Sequence, residues 1–195
     1  MSVGASEVIL RFQHSWVAEI LASRPLILPS RAYIYPQAAE EIERGALEVL
    51  IKPAGDNIQP FLATCALGFR DPSLPTGIFA CPRADDLLAL AGGYAYLIDT
   101  LVPEHCLHLP LRPTTQVLPA QAAELILLAG FHNILALDAN GIRWQSARLS
   151  WEGVTMTSVD ATHLHGTGWN MHTDREAPFT IDLATGAHEG GGFQL

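Results

Sequence analysis

Short apolar runs that end at glycine or aspartate dominate the pattern of the chain, and they are clearest in residues 124–151. Glu124–Ala129 is one such run, and His132–Asp138 is a second that ends in an Asp-x-Asn-Gly corner. This corner predicts a tight turn, because Asp bonds its own downstream backbone and Asn and Gly accept a positive φ. Runs this short are typical of strands. Residues 142–151 alternate in polarity and predict a third strand with both faces partly covered.

A similar unit precedes this stretch. Asp86–Gly92 aligns with Glu124–Gly130, and each is followed by an apolar strand that ends in Asp. A looser third copy begins at His163–Gly166. The spacing of about forty residues falls in the range of propeller blades, and stacked copies of a small antiparallel sheet bury faces that one copy leaves open.

The glycine–strand–aspartate rhythm resembles the blades of β-propellers across about Gly77–Gly186. This is a resemblance to an architecture and not to a family, since no Trp-Asp signature or kelch double-glycine motif stands in register. It implies a mainly β fold of antiparallel sheets in a blade-like arrangement or a partial β-propeller. A β-sandwich gives the same local strand pattern and stays an alternative.

The N-terminal region predicts one or two short helices beside strands. Gln37–Arg44 is the best helix candidate, because Pro36 precedes it, acidic residues fill its first turns and Gly45 ends it. Ala46–Lys52 and Phe61–Phe69 predict a hairpin. Ser15–Ala22 is compatible with a helix or a strand.

No linker rich in Pro, Gly or Ser divides the chain. We therefore expect a single mostly-β domain over residues 1–195, with an α+β portion over 1–60 and a repeat-like β portion over 77–186. Gly190–Gly192 predicts a frayed tail.

Composition narrows the classes of partner. The chain is 49% hydrophobic and 16% charged, and its formal net charge is −9 with a pI near 5.2. An acidic chain with few Lys and Arg argues against a nucleic-acid partner and against docking on an anionic membrane. Cys65, Cys81 and Cys106 form no CxxC pair, and the first residues lack a basic segment followed by a long apolar core, so we expect a cytoplasmic protein with reduced thiols.

Four polar residues near the C-terminus form the only metal-site hypothesis. His163 and His165 lie two residues apart and share one face of a strand, and His172 and Asp174 repeat that spacing. Imidazole and carboxylate ligands suit zinc or iron. The alternative is that these residues are polar groups on the solvent side of a strand and its loop.

The other sequence patterns that could indicate a catalytic site give it little support. His105, Cys106 and His108 include a thiol, but neighbouring residues of a strand point to opposite faces, which argues against a Cys–His pair. No GxSxG elbow, phosphate-binding loop or Rossmann fingerprint occurs. An enzyme is therefore not the favoured class.

A group of large aromatic and basic residues suggests a binding surface. Trp151 and Trp169 lie near Arg148 and Arg175 in sequence, and Trp and Arg are the usual anchors of interfaces and can stack on a sugar or a cation. The alternative, which we favour for Trp144, is that such rings fill gaps between packed sheets.

Three hypotheses follow. The favoured one is a non-enzymatic β-rich module, without a cofactor, that binds a protein partner or associates with itself. The second is a small-ligand or carbohydrate-binding module that uses the tryptophan group. The third is a metal-dependent enzyme that uses the histidine group.

Overall fold

The computed structural model describes residues 7–36, 39–55 and 57–193, and it confirms the prediction of a mainly β fold. The strands of these described residues form four sheets. The chain divides into two compact units, a first unit of Met1–Pro113 and a second unit of Thr114–Leu195. Among the described residues, no helix has the length and apolarity needed to span a membrane.

The first sheet of the first unit has the strand order β1-β6-β7-β8-β9. From β6 to β9 each strand pairs antiparallel with the next, whereas β1 pairs parallel with β6. Its strands are β1 (Glu7–Ile9), β6 (Gly77–Ala80), β7 (Asp86–Ala91), β8 (Tyr94–Asp99) and β9 (Cys106–His108).

The second sheet of the first unit has the order β2-β4-β5-β3. Its strands are β2 (Trp16–Leu21), β3 (Ala32–Tyr35), β4 (Ala46–Pro53) and β5 (Phe61–Ala66). Because β2 and β5 both run antiparallel to β4, and β3 runs parallel to β5, the strands β2 and β3 are parallel and lie at opposite edges. Residues 22–31 must therefore cross from one edge of the sheet to the other, and we call them the crossover segment.

One hydrophobic core holds the first unit together. It takes buried side chains from both sheets, and its largest members are aromatic. Trp16 donates its indole N–H to the Asp86 carbonyl at 3.1 Å, and Tyr96 donates its hydroxyl to the Ala66 carbonyl at 2.9 Å. These bonds satisfy the polar ends of buried rings and so fix the packing of the two sheets.

The second unit consists of two four-stranded antiparallel meanders, in which every strand pairs with the next one in sequence. The first contains β10 (Gln116–Ala120), β11 (Leu125–Ala129), β12 (Ile134–Asp138) and β13 (Gly141–Gln145). The second contains β14 (Val154–Val159), β15 (His163–Asn170), β16 (Arg175–Asp182) and β17 (His188–Gly190). Both contribute to one core, in which Trp144 is buried and donates to the Leu183 carbonyl at 2.8 Å, as the gap-filling interpretation predicts.

The aspartates at strand ends stabilise turns. Asp99 accepts bonds from the Leu101 and Val102 amides, Asp138 accepts one from Asn140, and Asp182 accepts one from the Thr185 amide. Each carboxylate thus closes the loop that follows its own strand, so the repeated Asp positions mark turns.

Three local predictions differ from the structure. The predicted helix at Gln37–Arg44 is a short 3₁₀-helix, Ala39–Arg44, with residues 37 and 38 outside the described part, since a segment this short depends on packing for its form. The predicted strand 142–151 ends at Gln145. The tail predicted to fray is bound, because the Gly191 amide donates to Pro178 and the Gly192 amide to Leu149.

Candidate functional site

The structure brings two of the four predicted metal ligands together. His163 and His165 point to the same side of β15, with ring centroids 6.3 Å apart. Asp160 lies beside them, with its carboxylate 3.2 Å from His165 Nε2 and 4.0 Å from His163 Nδ1. All three side chains are substantially exposed, so water screens their interaction.

The Asp160 carboxylate is already used by the backbone. It accepts bonds from the Thr162 and His163 amides at 2.8 Å each, and these amides, with the His165 imidazole, hold the pKa of Asp160 well below its usual range. The carboxylate therefore stays ionised across the neutral range and caps the β14–β15 turn.

The other two predicted ligands lie at the opposite end of the hairpin of β15 and β16. His163 pairs with Asp182 at one end of β15 and Asn170 with Arg175 at the other, a span of about 23 Å at 3.3 Å per residue. His172 and Asp174 belong to the turn beyond Asn170. Among the described residues, no group of three or more His, Cys, Asp or Glu side chains is arranged to hold a metal ion.

Trp151 and Arg148 do lie together, in a group that we call the Trp151 cluster. The Arg148 guanidinium carbon is 5.1 Å from the Trp151 ring centroid and 4.6 Å from that of Phe193. Trp151 and Phe193 are 4.7 Å apart, and His172 meets the Trp151 ring edge-on at 5.7 Å. Arg148 also donates to the Ser150 and Trp151 carbonyls at 3.0 and 2.9 Å. These contacts hold the C-terminal segment against the rest of the second unit.

Trp169 and Arg175 are not part of the Trp151 cluster. Trp169 donates its indole N–H to Asp174 at 3.2 Å, and its amide donates to the Ser150 hydroxyl at 2.8 Å. Arg175 is exposed at the start of β16. Binding of a small ligand by the tryptophans stays a prediction, which a fluorescence titration can test.

Cys106 offers no thiolate at neutral pH. The side chain is half-buried, and burial raises the pKa of its thiol to about 12. Cys65 and Cys81 are fully buried free thiols whose pKa values burial also raises, as expected of core residues.

The most exposed apolar residues of the described chain lie in the crossover segment, which the sequence analysis did not single out. Leu26, Ile27 and Leu28 are 104%, 89% and 44% exposed, between the half-buried Pro25 and Pro29. A run of apolar residues between two prolines was the available signal. We call Leu26–Leu28 the apolar loop.

The apolar loop is fixed to the sheet at its C-terminal side. Arg31 donates to the Gln59 carbonyl at 3.3 Å and lies 5.7 Å from the Phe61 ring centroid. The Arg31 carbonyl accepts the Leu62 amide at 3.0 Å. The loop also follows the edge strand β2, on which Val17 is 72% exposed. An apolar surface and an open strand edge therefore adjoin along the chain.

Comparison with known proteins gives no assignment of family. No family model matches the chain, and no curated protein matches it in sequence. Four chains of solved structures match. One is described as "Crystal Structure of the N-terminal Domain of Nup159", with 14% identity and a TM-score of 0.37 over 97% of this chain. The match spans 53% of that chain, about half of its length, and similarity at this level assigns neither a fold family nor a function.

Proposed function

We propose that this chain is a non-enzymatic interaction module that binds a protein partner through the apolar loop. The observation that carries the proposal is the near-complete exposure of Leu26 and Ile27. Covering two large aliphatic side chains on association contributes roughly 2–3 kcal/mol each. Exposed apolar residues that lie this close together support the proposal that another molecule covers this surface.

The surroundings of the loop favour binding as well. Pro25 and Pro29 fix two backbone φ angles, so the loop loses less conformational entropy when it is ordered by a partner. Among the described residues, β2 is an edge strand of its sheet, and its outer edge offers backbone donors and acceptors that an extended segment of the partner can pair with. A protein therefore suits this surface better than a small ligand.

The test compares wild type with the double variant Leu26→Ser/Ile27→Ser as baits in quantitative affinity capture. We expect at least one protein to be retained in near-stoichiometric amount by wild type and to fall tenfold or more with the variant. Phe131→Ser is the matched control, since Phe131 is a 42% exposed apolar residue that lies in the second unit, outside the apolar loop. This control should retain the same protein.

Sedimentation velocity over a range of concentrations identifies the partner as a second copy of the chain if the wild type associates and the double variant does not. Equal capture and equal sedimentation by wild type and double variant would refute the proposal. Both substituted side chains are exposed, so the variant should give the circular dichroism spectrum of the wild type.

A further inference from the structure

We propose a second binding surface on the first unit, which takes an acidic segment of a protein partner. It is formed by Arg44, Phe69, Arg70, Tyr94 and Arg112, which we call the arginine–aromatic patch. It goes beyond the proposed function, because it names a separate surface and the chemistry of its ligand. Either proposal can fail without the other.

The patch is assembled from four places in the chain. Arg44 ends the 3₁₀-helix, Phe69 and Arg70 follow β5, Tyr94 begins β8, and Arg112 follows β9. The segment after β5 is held in place because the Gly68 amide donates to Ala91 at 3.0 Å and the Phe69 amide to Gly92 at 2.9 Å. The patch thus rests on backbone bonded to the first sheet.

Tyr94 is the centre of the patch, and its ring is fixed. A Cβ placed on Gly68 would lie 2.3 Å from Tyr94 Cδ1, so the ring packs directly on the glycine backbone. His108 contacts the same ring at a centroid distance of 4.7 Å. Phe69, which is 42% exposed, meets it edge-on at 6.0 Å.

The arginines gather around this ring. The guanidinium carbons of Arg112 and Arg44 lie 5.4 and 5.9 Å from the Tyr94 centroid. Arg70 is held beside Arg44, since its Nε donates to the Arg44 carbonyl at 3.4 Å and its Nη2 to the Glu43 carbonyl at 3.3 Å. All three arginine side chains are exposed.

The positive charges of Arg70 and Arg112 are incompletely balanced. Among the side chains that the structure describes, which do not include those of residues 39–41, no carboxylate forms an ion pair with Arg70 or Arg112. The neighbouring carboxylate of Asp71 keeps its negative charge, but it accepts bonds from the Ser73 amide and hydroxyl and forms no ion pair with Arg70 or Arg112 among the described side chains. Arg70 and Arg112, two of the 11 basic residues of a chain with net charge −9, therefore carry positive charge that no described carboxylate pairs with directly.

The side chains of the arginine–aromatic patch indicate which class of ligand it binds. Guanidinium groups bind carboxylates through paired hydrogen bonds, and the exposed part of the Phe69 side chain suits an aromatic or aliphatic side chain. Long polyanions such as nucleic acids are disfavoured, because they would extend beyond the patch over a chain whose net charge is −9. A short peptide that carries a few carboxylates and one aromatic residue fits within the local positive field.

The test uses fluorescence anisotropy with a set of fluorescein-labelled twelve-residue peptides. Each peptide carries one aromatic residue and between zero and six acidic residues at varied spacing. For wild type at low salt, we expect affinity to rise with acidic content and to fall with added salt. Arg70→Ala/Arg112→Ala should bind the best peptide at least tenfold more weakly, whereas Arg112→Lys should retain an intermediate affinity.

The matched control is Arg24→Ala/Arg175→Ala, which removes two exposed arginines outside the patch and changes the net charge equally. It should bind like the wild type. The proposal fails if no peptide binds, if neutral peptides bind as well as acidic ones, or if the control loses as much affinity as the patch variant. It also fails if a single-stranded oligonucleotide of equal charge binds more tightly through the same arginines.

Discussion

Asp86, a buried carboxylate in the first unit, shows how one residue can make stability depend on pH. It lies opposite Asp99 in the β7–β8 pairing, and Arg83 binds both carboxylates at 3.0 Å. Burial raises the pKa of Asp86 from 3.8 to about 6, the charge of Arg83 opposes the rise, and Asp99 and Asp85 add to it. The folded protein therefore keeps the Asp86 proton to a higher pH than the unfolded chain does.

The first prediction concerns Asp86→Asn. The free energy of unfolding of the wild type includes a contribution from Asp86 that falls as the pH rises from about 4 to about 6 and then stays constant. The asparagine side chain of the variant cannot ionise, so the free energy of unfolding of the variant does not include this decrease. Relative to wild type, its free energy of unfolding should increase by about 1–3 kcal/mol between about pH 4.5 and about pH 7.5. Urea denaturation at the two pH values measures this difference.

Asp71→Asn is the control for this prediction. Hydrogen bonds from the Ser73 side chain and amide lower the pKa of Asp71, so its contribution changes only below its usual value of 3.8. Its difference from wild type should be the same at both pH values. Parallel stability profiles for Asp86→Asn and wild type would show that Asp86 is not the responsible group.

At the scale of elements, the C-terminal segment is held to the second unit by a few defined contacts. The strand β17 pairs with β16, Gly192 donates to Leu149 at 2.7 Å, and Phe193 packs against Trp151 and Arg148. Close approach explains the glycines, because a Cβ on Gly192 would lie 2.3 Å from the Gly168 carbonyl oxygen. The glycine run is thus a packing requirement and not a flexible end.

The second prediction is that Phe193→Ala loosens this segment. Loss of the aromatic and cation–π contacts should lower the free energy of unfolding by about 1–2 kcal/mol. The free energy of opening at the Gly191 and Gly192 amides, measured by hydrogen exchange, should fall by a similar amount, so both amides should exchange faster. Phe131→Ala is the control and should leave both amides protected, and unchanged exchange in Phe193→Ala would refute the anchoring role of Phe193.

How far the elements could be predicted depended on how local their cause is. β7 and β11 were predictable because continuous apolar runs bounded by Asp or Glu and Gly specify buried strands, and both are buried throughout. The strand order of the second sheet was not predictable, because β3 pairs in parallel with β5, which lies about 30 residues away in sequence. The local pattern of apolar and polar residues does not indicate which distant strands pair.

The candidate sites were likewise predictable only where the arrangement depends on residues that are close in sequence. The two-residue spacing of His163 and His165 correctly placed them on one side of a strand. The same spacing failed to bring His172 to them, because His172 lies in the turn at the far end. The neighbours of Trp151 include Phe193, 42 residues away, which sequence spacing could not indicate.

At the scale of the whole molecule, net charge and exposed apolar area act against each other. The charge of −9 at neutral pH keeps copies of the chain apart, and this repulsion vanishes near the pI of 5.2. We then expect contacts through the apolar loop to contribute more to association.

The third prediction is that Leu26→Ser/Ile27→Ser is more soluble than wild type near the pI. We expect an increase of roughly twofold or more there and a much smaller one in neutral buffer, since like charge already prevents contact. Precipitation with polyethylene glycol across the pH range measures it. Phe131→Ser should match wild type, and an equal gain for both variants would mean that total apolar area matters rather than this loop.

The parallel pairing of β1 with β6 has a consequence for the timing of synthesis. Glu7 pairs with Gly77, so β1 leaves the ribosome about 70 residues before its partner strand. At 5–20 residues per second, it waits about 4–14 s for that partner. The strands of the second unit each pair with the next to emerge. β1 is therefore complete long before the strand that it pairs with, and a chaperone that acts while residues 10–76 are being made would meet it unpaired.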